Sequence, residues 1–118
     1  MLLLVTAMGC GQDGPVKFTV NGTIEMPDGK PVPAGEISFE PDGTAGNSGP
    51  GSMAQIKDGK YSLSREQGVV GGAYLVTISP FDGVAHGESL QGKPLRTVPY
   101  GEKVTLPKED AAQNFKIK

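Results

Sequence analysis

The chain has 118 residues, 11 Lys and Arg against 13 Asp and Glu, and a formal net charge of −2. With no basic cluster it lacks what neutralises a nucleic-acid backbone. A single cysteine excludes an internal disulfide, and one cysteine with one histidine excludes a Cys/His zinc cluster.

Residues 1–9 are apolar or small and uncharged. They are too few to cross a hydrocarbon core of about 30 Å, which takes about 20 helical residues, but long enough for the apolar region of a signal peptide. A buried first strand is the alternative, and "MLLLVTAM" does not alternate as a half-buried strand does. No Lys or Arg precedes the run, so the reading expects a start upstream or a truncated chain. Cys10 closes this stretch, and residues 10–15 read as a flexible tether.

From Val16 the period becomes two, with Val16, Phe18 and Val20 on one face and Lys17, Thr19 and Asn21 on the other, which predicts a strand to about Met26. "PDGKPVP" is a turn, and "GEISFEP" a strand with Ile37 and Phe39 inward. Residues 41–51 hold no large apolar side chain, so they read as a mobile surface loop outside the core. "MAQIKDGKYSL" is the strongest local signal, because Asp58-Gly59 between alternating segments predicts a β-hairpin whose turn needs positive φ at both residues. "AYLVTISP" has the densest β-propensity and is placed centrally, with Pro80 ending its ladder.

Residues 81–97 lack periodicity over a length that is uncommon unless functional or disordered. "VPYGEKVTLP" and "NFKIK" complete the strands, the latter as a last edge or central strand, and "PKEDAAQ" carries a short, weak helical turn. About seven short strands, most with one apolar face, predict an all-β fold of residues 16–118, an antiparallel β-sandwich of transthyretin-like or Ig-like type, with a small barrel as the alternative.

The segments "VNGTIEMPDGKPVPAGEISFEPDG", "AQIKDGKYSL", "GGAYLVTI" and "NFKIK", in this order, resemble small bacterial lipoproteins with a transthyretin-like or carboxypeptidase-regulatory-like domain, abundant in planctomycete bacteria. The likeness covers about residues 16–118. It implies that the signal peptide ends in a lipobox, here Ala7-Met8-Gly9-Cys10, and that Cys10 carries the lipid. Gly11 follows, where an aspartate retains lipoproteins of well-studied Gram-negative bacteria in the inner membrane, so the resemblance implies a cell-envelope protein at the outer membrane, on its periplasmic or surface side. Several acyl chains anchor stably where one is marginal. The transthyretin-like hydrolase of hydroxyisourate uses two histidines, an arginine and a Tyr-Arg-Gly-Ser ending; this chain has one histidine and ends in "NFKIK".

Cys10 as a nucleophile needs a base, and the only imidazole, His86, lies far along the chain in an irregular loop. His86, Glu88 and Ser89 are too close in sequence to form a hydrolytic triad, and there is no Gly-x-Ser-x-Gly elbow. Asp13, Asp28, Asp42, Asp58 and Asp82 each precede a glycine, as turns require, without the regular carboxylate spacing of a calcium loop. Phe81 and Tyr100 are the aromatic rings left outside the predicted core, and with His86 they form the candidate ligand or partner contact. The sequence therefore predicts a non-enzymatic, lipid-anchored envelope domain with a membrane, an envelope protein or a glycan as partner. The alternative is a carbohydrate-, peptide- or small-ligand-binding module using residues 81–100. Neither reading needs a cofactor or metal.

Overall fold

A computed structural model describes residues 16–85, 87 and 90–118. Eight strands follow in chain order: β1 (Val20–Glu25), β2 (Ala34–Pro41), β3 (Ser52–Lys57), β4 (Lys60–Leu63), β5 (Gly72–Phe81), β6 (Tyr100–Leu106), β7 (Ala111–Ala112) and β8 (Phe115–Lys116). They hydrogen-bond in the order β6-β5-β2-β3-β4-β1-β7, with β8 also on β1. The all-β expectation holds. The strands form a curled sheet whose halves, β6-β5-β2-β3 and β4-β1-β7, meet at the single Lys57–Lys60 pair, and it is mixed because β7 and β8 run parallel to β1.

β3 and β4 pair only at Lys57–Lys60, on either side of the Asp58-Gly59 turn. Asp58 has φ 50° and Gly59 φ 75°, the paired positive values that match the right-handed twist of the flanking strands. A Cβ on Gly59 would lie 2.5 Å from Pro31 Cβ. The turn is tied from outside as well: its Asp58 and Gly59 amides donate to the carbonyls of Pro33 and Val32, and its Gly59 carbonyl accepts from Ile24 N–H. One short turn thereby fixes how β1, β2 and the hairpin meet.

The curl brings aromatic rings from distant strands together. Phe39 of β2 is fully buried, and its ring centroid lies 5.9 Å from Tyr61 of β4, 6.3 Å from Tyr74 of β5 and 6.2 Å from Phe115 of β8. Such pairs add about 0.5–1.5 kcal/mol each beyond the area they bury. Around them pack Val20, Ile24, Ile37, Leu63, Val76, Ile78 and Ile117, the inward residues of alternating strands.

Several local expectations give way to the tertiary structure. The first strand starts at Val20, not Val16: Val16 is exposed, and Phe18 is only partly buried, held by a single bridge to Val69. Pro80 does not end its ladder, since β5 runs on to Phe81 against β2, past the last β6 partner at Ile78. Pro80 pairs with Gly35, whose missing Cβ leaves room for the Ser79 carbonyl 2.1 Å from where it would stand. The helical turn expected at "PKEDAAQ" is replaced by β7, because Ala111 N–H donates to Thr19 O and the ladder overrides alanine's helix propensity.

The loop after β2 also departs from its reading. Asp42 is buried, and its Oδ1 accepts from both the amide (3.0 Å) and the hydroxyl (2.6 Å) of Thr44, opening a short 3-10 turn at Gly43–Ala45. The Thr44 hydroxyl is the main reason that the Asp42 carboxyl titrates below its ordinary range. Asn47 Nδ2 donates to the carbonyls of Gly71 and Ala73, so the loop is pinned to the start of β5.

The Tyr61 hydroxyl donates to the Gln113 carbonyl at 2.6 Å, and burial raises its pKa well above the ordinary 10.0. Tyr61→Phe leaves that carbonyl without its donor and should lower stability by about 1–3 kcal/mol. As pH rises past the ordinary tyrosine value, the unfolded chain loses this proton while the folded chain keeps it, so wild-type stability falls there. Urea unfolding at neutral pH and at pH about 10.5 should show a smaller alkaline loss in the variant than in wild type.

Candidate functional site

The two ends of the sheet differ. At one, the Phe18–Val69 bridge joins the residues before β1 to those before β5. At the other, β5 ends at Phe81 and the chain leaves on the irregular segment that precedes β6.

This segment is organised by Asp82. Its Oδ1 accepts from the amides of Val84 (2.9 Å) and Lys93 (3.1 Å), the side-chain turn that aspartate before glycine favours. Asp82 N–H donates to Lys93 O, Gly83 N–H to Gln91 O, and Leu95 N–H to Pro80 O. Together with the Phe81–Pro94 bridge these bonds close a neck. Gly92 belongs to it by necessity: φ is +93°, and a Cβ there would stand 1.8 Å from Asp82 Oδ1.

Past the neck the chain exposes apolar side chains. Val84 is 65% exposed, Leu90 85% and Val98 66%. Leu95, with Met26, Pro31 and Pro33 from the β1–β2 turn, lines a hollow of about 380 Å³. Phe81, Pro94, Arg96 and Pro99 line a second of about 210 Å³.

Arg96 links these parts. Its guanidinium carbon lies 5.7 Å from the Tyr100 ring centroid, its Nε donates to Val98 O at 3.1 Å, and its Nη1 reaches Lys118 O at 3.5 Å. A guanidinium over a ring at this distance gains about 0.5–1 kcal/mol at an exposed site. The Tyr100 hydroxyl donates to Glu102 Oε1 at 2.8 Å, and that carboxylate raises the Tyr100 pKa by holding the proton.

The rings singled out in the sequence are therefore separated. Tyr100 pairs with Ile78 and packs partly against the core. Phe81 stands three positions beyond Ile78, so alternation turns it to the opposite face, where it lines the smaller hollow. Cys10 lies outside the described residues, as do His86, Glu88 and Ser89. Asp82 and Arg96 carry more of this end than the sequence implied: Asp82 reads there only as a turn former, and no local pattern places Arg96 over Tyr100.

Among the described residues no three His, Cys, Asp or Glu side chains converge to hold a metal ion. What this end offers chemically is apolar surface and one guanidinium on a braced loop. The chain matches no protein-family model and no curated protein.

Asp82→Ala should release the Val84 and Lys93 amides, with a stability loss of about 1.5–3 kcal/mol for hydrogen bonds to a charged acceptor. Hydrogen exchange should quicken at the amides of 84, 91–93 and 95 while the β2–β5 ladder keeps its protection; unchanged exchange at the neck contradicts this assignment.

Proposed function

We propose that this chain is a non-enzymatic, lipid-anchored domain of the cell envelope, of the transthyretin-like or carboxypeptidase-regulatory-like kind, that presents a partner-binding end away from its membrane. The anchor is Cys10, and the outer membrane is its location. The observation that carries the reading is the polarity of the sheet. The residues that follow the proposed tether enter beside Val69, whereas the braced apolar segment leaves the far end of β5. Ten strand residues separate these ends by about 33 Å. An anchor at one pole leaves Val84, Leu90 and Val98 at the other, facing the space a partner occupies. Solvated apolar side chains at this end favour contact with another macromolecule.

A second reading, a module for a carbohydrate, peptide or other small ligand, is favoured by the hollow that Phe81 shares with Arg96. Its small volume, about 210 Å³, fits a single side chain or sugar ring better than a long ligand.

Intact-mass analysis of the full chain recovered from its native membrane tests the anchor. Wild type should carry acyl mass on Cys10 and fractionate with membranes, and Cys10→Ser should do neither; an unmodified, soluble wild type contradicts the anchored reading. A thermal-shift panel of glycans and peptides on wild type and Phe81→Ala separates the second reading, which requires a ligand-dependent shift that the variant loses.

A further inference from the structure

The outward face of β3, β4 and β1 holds a groove that neither reading uses. It is open, about 700 Å³ in volume, and Lys57 and Lys60 stand in its wall with Asn21, Thr23, Ser62 and Asn114. No carboxylate lines it, although the chain as a whole is acidic. Gln55, also in the wall, donates from Nε2 to Glu36 at 3.5 Å.

Lys57 and Lys60 are direct cross-strand partners on either side of the hairpin turn. The pair next to a two-residue turn has its Cα atoms about 5.5 Å apart with both side chains on one face. Like charges placed so are destabilising. Among the described residues neither lysine has an ion-pair partner, since the ion pair recorded joins Arg65 to Asp110. A hairpin that only needed to fold would gain from a carboxylate at either position. A broken local rule of this kind is expected at a functional or strained site, and here the carboxylates of a ligand would offset the repulsion.

The rest of the wall says what kind of ligand. Hydroxyls and amides at Asn21, Thr23 and Ser62 are exposed and donate or accept hydrogen bonds along a strip beside the lysines. The one aromatic residue in the wall, Tyr61, has its ring in the core, so a neutral sugar finds no face on which to stack. We infer that this groove binds an acidic polysaccharide, its carboxylates bridging the Lys57–Lys60 pair and its hydroxyls meeting the polar strip. The inference stands apart from the anchor and from the Phe81 hollow, since it uses none of their residues.

Amide-resolved NMR titration of the full chain with tetragalacturonate, maltotetraose and inorganic sulfate tests it. Tetragalacturonate should give saturable shifts centred on residues 21–23, 57–62 and 112–114, and Lys57→Gln with Lys60→Gln should weaken them by about tenfold or more. Maltotetraose should give none, and sulfate at equal ionic strength should bind more weakly than the tetrasaccharide. Lys60→Glu provides a variant that folds at least as well. It should melt about 1–6 °C higher as repulsion becomes attraction, and should lose tetragalacturonate binding. The absence of a saturable shift overturns the inference. So do equal binding by the double variant, by Lys60→Glu or by maltotetraose, and sulfate binding as tight as that of the tetrasaccharide.

Discussion

One backbone carbonyl ties this sheet together. Between β7 and β8 the chain turns the Gln113 carbonyl inward, where it accepts the Tyr61 hydroxyl at 2.6 Å. It occupies space that only Gly22 leaves open, since a Cβ at position 22 would lie 2.0 Å from that oxygen. Gly22 and Tyr61 are themselves cross-strand partners, so β1, β4 and the C-terminal strands meet at this point. A buried carbonyl without a donor is costly, which makes glycine and tyrosine here a matched pair rather than two separate choices.

The parallel strands depend on the same place. Ala111, Gln113 and Ile117 donate to Thr19, Asn21 and Glu25, while an amide just before β1 and one within it are served by side chains instead of backbone: Thr19 N–H by the Asp110 carboxylate and Thr23 N–H by Asn114 Oδ1. The bond from Thr19, with Arg65 at 2.9 Å, holds the Asp110 carboxyl below its ordinary pKa. This side-chain relay bridges the irregularity at Gln113 and allows Phe115 and Ile117 to enter the core. Phe115 thereby reaches both Phe39 and Tyr61 at ring-centroid distances of 6.2 Å and completes the aromatic cluster.

What was legible in the sequence was local. Asp58-Gly59 announces its own turn, because the conformation it needs is a property of two adjacent residues. Alternation likewise marks Ile37 and Phe39, or Tyr74, Val76 and Ile78, as inward. Partners distant in sequence were not legible. Nothing near Gly22 says that Gln113 arrives beneath it, nothing in "PKEDAAQ" that Thr19 awaits Ala111, and nothing in "GPGS" that Ser52 Oγ donates to Gly68 O across the sheet. The candidate site divides the same way. Phe81 and Tyr100 could be picked out as rings near an irregular segment, but their faces are set by the β5–β6 register. The Asp82 neck joins residues eleven apart. The like-charge pair at Lys57 and Lys60 is readable once the hairpin is assigned, yet its meaning depends on the carboxylate-free wall that β1 and the C-terminal strands complete.

Native-state hydrogen exchange on Gly22→Ala tests this account most directly. If the Gln113 carbonyl organises the C-terminal strands, the variant loses at least about 2 kcal/mol of stability and protection collapses first at the Ala111, Gln113 and Ile117 amides. Wild-type protection at those three amides, with unchanged stability, would contradict it.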